Sequence, residues 1–224
     1  MTEAIFDKVA ADYDDWYVTE IGNVADQVER ALAQRMFQPS GSHVLEVGCG
    51  TGQHTVWLVQ AGYDLTAVDI SGEMMAKART RIAGVGGRVQ WWQADIAEIL
   101  DQLGKFYGIF SMTAFEFVPQ PEQVLARLYE CLEPGGCLLI GMIAGESPWS
   151  ETYQEAARQN PASVFAHAKL YTEQEIRRWR VGGRLELGRA LFFPPSVATA
   201  AEALALEEKA TDVAGFLVAK WVKA

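Results

Sequence analysis

Cysteine is scarce in this 224-residue sequence, which contains only Cys49, Cys131 and Cys137. No two of them have the spacing of a metal site, and each lies in an apolar or glycine-rich stretch. This pattern argues against a disulfide framework and predicts no metal centre. We interpret the three side chains as buried free thiols, which persist in a reducing compartment.

Positive charge is also in short supply. The 19 lysines and arginines are outnumbered by 29 aspartates and glutamates, which gives a formal net charge of −10. A chain this acidic is repelled by phosphate backbones, and this disfavours nucleic acid as a partner. The basic cluster is made of Arg177, Arg178, Arg180, Arg184 and Arg189. We interpret it as the solvated face of a helix and the residues that follow.

Long hydrophobic runs are missing as well. The longest apolar stretch, residues 137–144, is far too short to cross a bilayer. Residues 1–7 carry acids where a signal peptide would carry lysines and a long apolar run. The sequence has no repeats and no linkers rich in proline or serine, and its length suits one domain with a substantial core. We therefore expect a single cytoplasmic domain over residues 1–224.

What the sequence does contain is an apolar strand that runs directly into glycines. Residues 44–52 read Val-Leu-Glu-Val-Gly-Cys-Gly-Thr-Gly, with Gly48, Gly50 and Gly52 at alternate positions. Glycine allows a sharp turn and lets a ligand approach the backbone. The spacing is not the G-x-G-x-x-G of dinucleotide-binding dehydrogenases, and the ending of a phosphate-binding P-loop is absent. Glu46, inside the strand, needs a cationic or hydrogen-bonding partner.

Strands and helices alternate after this turn. Further strands are predicted at 65–70, 88–92, 106–112 and, including its turn, 132–140. Helices are predicted to begin at Ser71 and Pro121, and the adjacent Trp91 and Trp92 should lie on opposite faces of the sheet. An amphipathic helix over residues 24–36 precedes the first strand. This order predicts an α/β fold with a doubly wound, mostly parallel sheet, whose ligands bind beyond the carboxyl ends of the strands.

The pattern changes after the fifth strand. Residues 145–170 contain two prolines, a short helical stretch at 153–159 and no clear strand. Long irregular connections in compact domains are usually functional, so we expect this segment to form a lid or a wall for a substrate. A capping box, Thr172-x-x-Glu175, then begins another helix.

Five sequence blocks follow one another in a fixed order. They are the glycine turn at 44–52, Val-Asp-Ile-Ser at 68–71, Ala-Asp-Ile at 94–96, and the strand regions 106–112 and 132–140. Together they resemble the class I S-adenosylmethionine-dependent methyltransferases. Within that family, the likeness is to the type 11 group, which modifies small molecules. That group carries an N-terminal Phe-Asp-x-x-Ala-x-x-Tyr-Asp segment, found here at residues 6–14.

The resemblance implies both a fold and an activity. The fold would be a Rossmann-like sheet of seven strands, in which the candidate strands 185–193 and 215–222 pair antiparallel. Residues 1–40 would form an N-terminal helical cap, and residues 145–170 a substrate lid. The cofactor would be S-adenosyl-L-methionine, and the methyl acceptor a small molecule rather than nucleic acid or a membrane. The residues do not decide between a monomer and a homodimer.

The resemblance also assigns residues to the amino-acid end of the cofactor. Gly48, Cys49, Gly50 and Gly52 would meet this end through their backbone, with the following helix N-terminus favouring the carboxylate. Glu46 would balance the ammonium group and orient the loop.

Two acids and two isoleucines would hold the nucleoside. Asp69, about 20 residues after the glycines, would accept from the ribose hydroxyls, or would instead cap the next helix. Asp95 would accept from the adenine amino group, or would be an ordinary loop acid. Ile70 and Ile96 would enclose the adenine ring. Met74 is assigned either to this site or to the core.

Four further residues are assigned to the cofactor. Tyr13 would hydrogen-bond the methionine carboxylate, or would only pack. His54 would contact the same carboxylate, or would lie on the helix surface. Ser111 falls just past a strand end. Phe115, with Phe117, would build the wall between cofactor and substrate.

Methyl transfer is an in-line displacement at a methyl group that a positive sulfur activates, so the protein mainly positions the nucleophile and excludes water. A general base is needed only for a protonated, weakly acidic acceptor. The candidate bases are His167, Glu116, Tyr153 and Tyr171, and no spacing singles one out. His167 is alternatively a packed helix residue, and Glu116 a solvated loop acid.

Other functions stay open at this point. A methyltransferase directed at RNA or protein keeps the same chemistry, although the acidic charge argues against RNA. A module that binds the cofactor without turnover is a second alternative. A nicotinamide-dependent oxidoreductase is disfavoured by the glycine spacing.

Overall fold

A computed structural model describes residues 4–211 and 213–224. The strands are β1 (His43–Val47), β2 (Asp64–Asp69), β3 (Val89–Gln93), β4 (Phe106–Met112), β5 (Leu132–Ile143), β6 (Arg184–Ala190) and β7 (Phe216–Val222). The helices are α1 (Asp15–Val18), α2 (Glu20–Met36), α3 (Gln53–Gln60), α4 (Gly72–Ala83), α5 (Ile96–Ile99), α6 (Pro121–Glu130), α7 (Pro148–Gln159), α8 (Glu173–Arg178) and α9 (Ala200–Glu207). Short 3-10 turns occupy Ile5–Lys8, Leu100–Gln102 and Val164–His167.

The seven strands form one sheet in the order β3-β2-β1-β4-β5-β7-β6. Strands β1 to β5 pair in parallel, whereas β7 runs antiparallel to both β5 and β6. The predicted doubly wound α/β fold, with its antiparallel β7, is confirmed. Helices cover both faces, which a mostly parallel sheet requires.

Two hydrophobic clusters, one on each face, hold these layers together. Successive side chains of a strand point to opposite faces, so neighbours enter different clusters. Trp91 packs against the cluster that contains Phe110, and Trp92 against the cluster that contains Ile109. The expectation that the two tryptophans lie on opposite faces is confirmed.

Local signals in the sequence located the starts of α4, α6 and α8. The hydroxyl of Ser71 accepts from the backbone N–H of Met74 at 3.1 Å, which caps α4 as expected. The capping box between Thr172 and Glu175 begins α8, with both reciprocal bonds formed.

Two expectations about the second half need correction, and one helix is additional. The strand expected over 185–193 ends at Ala190, because Leu191 adopts a φ of 58° and turns the chain. The helix expected over 153–159 starts earlier, at Pro148, because Ser147 forms a capping box with Ser150. Helix α9 was not expected.

The topology places one crevice at the carboxyl edge of the sheet. From β1 the chain moves outward to β2 and β3, then returns to β4 on the other side of β1. The loops after β1 and β4 therefore diverge and leave space between them, as at other switch points in open α/β sheets. In the described part of the chain, no helix combines the length and the apolar character needed to cross a bilayer.

Candidate active site

A cavity of about 340 Å³ opens at this edge, where β1, β2 and β4 end. Its lining comes from the strand ends, the loops after them and the N-terminal segment. The lining residues are Ile5, Phe6, Tyr13, Val47, Gly48, Gly50, Val68, Asp69, Ile70, Met74, Ala94, Asp95, Ile96, Met112, Thr113, Ala114, Phe117, Val118, Pro119 and His167. Over residues 4–211 and 213–224, no group of three or more His, Cys, Asp or Glu side chains is arranged to hold a metal ion.

The glycine turn forms one wall of the cavity. Gly48 and Gly50 line it with φ values of 70° and 53°. A Cβ on Gly48 would collide with that of Ala114, whereas a Cβ on Gly50 would meet nothing within 4 Å. Gly50 therefore leaves its backbone open to a ligand. Gly52 instead allows the start of α3 to pack closely against α4, because a Cβ added at this position would lie only 3.0 Å from the Cα of Ala78 in α4.

Asp69 ends β2 and connects the glycine turn to α4. Its Oδ2 accepts from the N–H of Gly50 at 2.7 Å, and its Oδ1 accepts from the N–H of Ser71 at 2.8 Å. The cap of α4 itself belongs to Ser71. Burial raises the pKa of Asp69, although these backbone donors oppose the shift. Two carboxylate oxygens offer about four acceptor sites, so Asp69 can still accept from a ligand.

Next to Asp69, the lining of the cavity is apolar apart from one further acid. Ile70 and Ile96 line it together with Asp95 and Met74. The Oδ1 of Asp95 accepts from the N–H of Ala97 at 2.9 Å and caps α5, and its assignment to adenine stays a prediction. Met74 is almost fully buried and also borders the cavity, so core and cavity meet at this side chain.

Glu46 lies beneath the glycine turn rather than in the cavity lining. Its side chain is 2% exposed, and its Oε2 accepts from the hydroxyl of Thr55 at 2.7 Å. Burial raises the pKa of Glu46 to about 8. The partner that the sequence required is therefore on α3, and a contact with a cofactor ammonium stays a prediction.

The N-terminal segment packs over the cavity. Tyr13 lines it, and its ring packs 6.0 Å from that of Tyr17. Asp14 anchors the segment by accepting from the hydroxyl of Thr51 at 2.7 Å and by pairing with Arg81 at 2.9 Å. A ligand in this cavity would consequently be shielded from water on that side.

Three of the assigned residues lie behind the cavity wall. Cys49, Ser111 and Phe115 are buried but do not line the cavity. Of the two phenylalanines expected in the wall between cofactor and substrate, only Phe117 lines the cavity. Phe115 packs in the core between the sheet and its helices. The structure therefore does not bring these three assigned residues to the cavity.

His54 also requires a correction. Its ring packs 5.8 Å from that of Phe110, and its Nδ1 is buried without a hydrogen-bond partner in the described chain. Burial lowers the pKa of His54 to about 4. The expectation that His54 lies on the helix surface is wrong, because α3 turns this side chain toward the sheet. His54 does not line the cavity either, so the structure does not bring it to the candidate cofactor site.

The candidate bases do not gather in one place. His167 lines the cavity. Tyr153 stacks on Phe165 with ring centroids 4.2 Å apart, and Tyr171 lies in an adjoining groove. Of these three, only His167 borders the main cavity.

Glu116 is not the solvated loop acid that the sequence suggested as an alternative. It is 3% exposed, because residues 145–170 cover its loop and the N–H of Lys169 bonds to its backbone carbonyl at 2.8 Å. Its Oε1 accepts from the N–H of Ile143 at 2.9 Å, whereas its Oε2 has no partner among the described residues. Burial raises the pKa of Glu116 to about 7. A carboxyl with this pKa can exchange a proton near neutrality.

Comparison with known proteins settles the family. A methyltransferase domain family matches residues 44–136. A malonyl-[acyl-carrier protein] O-methyltransferase from Anoxybacillus flavithermus is 30% identical over 208 residues, which cover 92% of this chain and 68% of that relative. The chain belongs to the S-adenosylmethionine-dependent methyltransferases.

Other methyltransferases also resemble this chain. A ubiquinone biosynthesis O-methyltransferase from Dechloromonas aromatica is 24% identical over 153 residues. A second relative is a trans-aconitate 2-methyltransferase from an Acidovorax species. The chain spans 66% of the length of the first relative and 62% of the length of the second, which is less than two thirds of each. A solved methyltransferase from Thermotoga maritima, described as a possible histamine N-methyltransferase, shares the fold with a TM-score of 0.75 at 21% identity, covering 98% of this chain and 99% of that one.

The cavity of this methyltransferase suits the family's cofactor. The open space at Gly50 accommodates a group in contact with the backbone. Asp69 offers acceptors where the ribose hydroxyls would lie, and Ile70 and Ile96 provide apolar surface beside Asp95 for adenine. These individual contacts stay predictions.

Thr113 is one of the lining residues that were not assigned from the sequence. It has a φ of 49°, which no short-range motif announces. Tyr17 packs beside Tyr13 with ring centroids 6.0 Å apart, as the one-turn spacing of these two residues suggests.

Proposed function

We propose that this chain transfers the methyl group of S-adenosylmethionine to a small-molecule acceptor. The observation that carries the proposal is the continuous cavity, which joins the open glycine turn at Gly50 and the acid at Asp69 to the side chains of Tyr13 and His167. Its lining offers backbone, acidic and apolar groups for the amino acid and the nucleoside of the cofactor. The relatives named as a ubiquinone biosynthesis O-methyltransferase, a trans-aconitate 2-methyltransferase and a malonyl-[acyl-carrier protein] O-methyltransferase support methyl transfer as the reaction.

In this proposal each part of the cavity has a role. The backbone at Gly48 and Gly50 receives the amino-acid end, and Asp69 accepts from the ribose hydroxyls. Asp95 accepts from the adenine amino group. Support comes from the lining of the cavity and from the acceptor capacity that Asp69 retains after bonding to two backbone donors.

The chemistry then needs little from the protein. The bound cofactor supplies a methyl group on a positively charged sulfur. The chain orients the acceptor in line with that methyl group and keeps water out. We propose that residues 1–40 act as a cap and residues 145–170 as a substrate lid within a single domain over 1–224. The hydrogen bond from Lys169 to the carbonyl of Glu116 and the anchored Asp14 support these roles.

We further propose that the enzyme acts in the cytoplasm, as a monomer or homodimer, and not on nucleic acid. The three cysteines are free, as is usual for proteins of a reducing compartment. The net charge of −10 supports a small molecule over RNA as the acceptor.

A transfer assay tests the proposal directly. The protein is incubated with S-adenosylmethionine labelled in the methyl group, together with a small-molecule extract, tRNA or a protein mixture in separate reactions. We expect label in the small-molecule fraction, and less of it with the Asp69→Asn variant. Transfer only to tRNA or protein would overturn the choice of acceptor, and absence of transfer to any fraction would overturn the activity.

A further inference from the structure

His167 stands where two spaces meet. It lines the cavity of about 340 Å³ at the carboxyl edge of the sheet, and it also lines an adjoining groove of about 520 Å³. The two spaces share four lining residues. His167 is the only polar one of the four, because the others are Phe117, Val118 and Pro119. A molecule that lies in the groove and reaches into the cavity therefore passes beside this imidazole.

Contacts on either side of His167 hold it at this junction. Two residues later in the chain, the N–H of Lys169 donates to the carbonyl of Glu116 at 2.8 Å. Two residues earlier, the ring centroid of Phe165 lies 6.2 Å from that of Phe117. Among the residues that the structure describes, the imidazole of His167 has no hydrogen-bond or ion-pair partner, and the residue is exposed. Both ring nitrogens are consequently available to a ligand.

The other titratable side chains of the cavity are engaged or keep their proton. Both carboxylate oxygens of Asp69 accept backbone N–H groups, and the Oδ1 of Asp95 caps α5. In the proposed function these two acids bind the ribose and the adenine. Burial raises the pKa of Tyr13, so its hydroxyl keeps its proton near neutrality. His167 is the cavity residue that is left to act as a base.

The groove adds no competing base at the junction. Glu116 lines the groove, but its Oε1 already accepts a backbone N–H and its Oε2 is shut off from solvent. The Oε1 of Glu122 accepts from the N–H of Arg180 at 2.8 Å, and Glu122 does not line the cavity. Lys169 is a cation whose Nζ lies 4.7 Å from the ring centroid of Tyr171, and burial raises the pKa of that tyrosine.

Aromatic side chains line the groove next to the junction. They are Phe117, Tyr171 and Trp179, and the rings of Tyr171 and Trp179 meet edge to face with centroids 5.0 Å apart. Aromatic rings favour such edge-to-face and offset contacts with a further ring. A flat aromatic ligand in the groove can thus present a substituent to the cavity beside His167.

We propose that the methyl acceptor is a phenol, whose ring lies in the groove and whose hydroxyl loses its proton to His167. The inference rests on the proposed function and adds the acceptor class and the catalytic base. During transfer, the phenol oxygen forms a bond to the methyl carbon while the carbon–sulfur bond breaks and leaves its electron pair on sulfur. The proton of the hydroxyl passes to the unprotonated ring nitrogen of His167 and from there to water.

Two phenols of different acidity test the role of His167. The assay is run at a pH where 4-nitrophenol is ionised, whereas 4-methylphenol, like a tyrosine side chain, stays protonated until about pH 10. Only 4-methylphenol then needs a base. A general base contributes about 10²–10⁴-fold to a rate, so His167→Gln should lower kcat for 4-methylphenol about 100-fold or more. The same variant should lower kcat for 4-nitrophenol by less than about threefold, because that acceptor has no proton to lose.

An equal change of kcat for both phenols in His167→Gln would overturn the assignment of the base. His43→Gln is the matched control, since His43 begins β1 at the end opposite to the cavity, and it should keep the wild-type kcat for both phenols. Calorimetric titration with S-adenosylhomocysteine shows that each variant is folded. Weaker binding of that compound by His167→Gln alone would place His167 at the cofactor instead and would also overturn the proposal.

The outcomes separate this proposal from the proposed function. If the wild-type protein binds S-adenosylhomocysteine but methylates neither phenol, the phenol acceptor is refuted and the cofactor site is not. Failure of the wild-type protein to bind S-adenosylhomocysteine would refute the proposed function, and the choice of acceptor with it.

Discussion

The Asp69→Asn substitution should separate cofactor binding from folding more cleanly than any other change at the cavity. In the folded protein both carboxylate oxygens of Asp69 accept backbone N–H groups, one from Gly50 at 2.7 Å and one from Ser71 at 2.8 Å. An asparagine of the same shape presents one oxygen and one NH₂ group, so one of these buried donors must face another donor.

The magnitude follows from that mismatch. An unmade buried hydrogen bond costs about 1–3 kcal/mol. Part of the loss is offset, because burial already raises the pKa of Asp69 and the substitution removes a desolvated charge. We expect the free energy of unfolding to fall by about 1 kcal/mol. Loss of charge-assisted bonds to the ribose should cost a further ~1.5–3 kcal/mol of binding, which corresponds to about a 10- to 150-fold weaker affinity for S-adenosylhomocysteine.

The assay is calorimetric titration with S-adenosylhomocysteine, accompanied by urea unfolding. Asp64→Asn is the matched control, since Asp64 begins the same strand at its opposite end and forms only a loose pair with Arg88 at 3.8 Å. That control should change stability by less than about 0.5 kcal/mol and leave binding unchanged. Wild-type affinity in Asp69→Asn would refute the role assigned to this acid.

Three further predictions follow from the same geometry. Gly50→Ala and Gly62→Ala both place a Cβ in open space at a positive φ, 53° and 88° respectively, so unfolding experiments should show that each loses about 1–2 kcal/mol of stability. Titration should show weaker S-adenosylhomocysteine binding only in Gly50→Ala. Equal binding by both variants would contradict a cofactor contact at the backbone of Gly50. Burial raises the pKa of Glu46 to about 8, so the folded state holds a proton that the unfolded state has released, and stability should fall as pH rises from about 4.5 to 8, by up to about 1.4 kcal/mol per unit. Glu46→Gln should flatten this decline in urea unfolding at a series of pH values, and an unchanged slope would show that another group titrates. Asp14→Asn should increase the dissociation rate of S-adenosylhomocysteine in stopped-flow measurements, because it weakens the ion pair to Arg81 that anchors the N-terminal segment; an unchanged rate would mean that the segment does not limit release.

The fold was largely predictable because its signals are local. Alternation of apolar strands and helices, a serine cap at Ser71 and a capping box at Thr172 each act within a few residues. The strand end at Ala190 was missed because the next residue is leucine, which is uncommon in the left-handed conformation that it adopts here.

The site was predictable only in part, since some of its parts are set by tertiary packing. The sequence places Gly50, Asp69 and Asp95 just past strand ends, where topology brings them to one edge. The direction of a side chain in a loop is not fixed in this way. Phe115 and Phe117 are two residues apart, yet one enters the core and the other lines the cavity.

The burial of Glu116 was equally hidden from local reasoning. Nothing near it in sequence shields it, because the cover comes from Lys169 and the segment before it. The same holds for His54, whose low pKa depends on packing against the sheet. Long-range contacts of this kind leave no periodic pattern in the chain.

A crystal structure with bound S-adenosylhomocysteine tests the central claim most directly. We predict electron density for the adenine between Ile70 and Ile96, the ribose hydroxyls within hydrogen-bond distance of Asp69, and the amino-acid end against the backbone of Gly50. Density for the compound elsewhere on the protein, or an unchanged cavity at saturating concentration, would contradict the account.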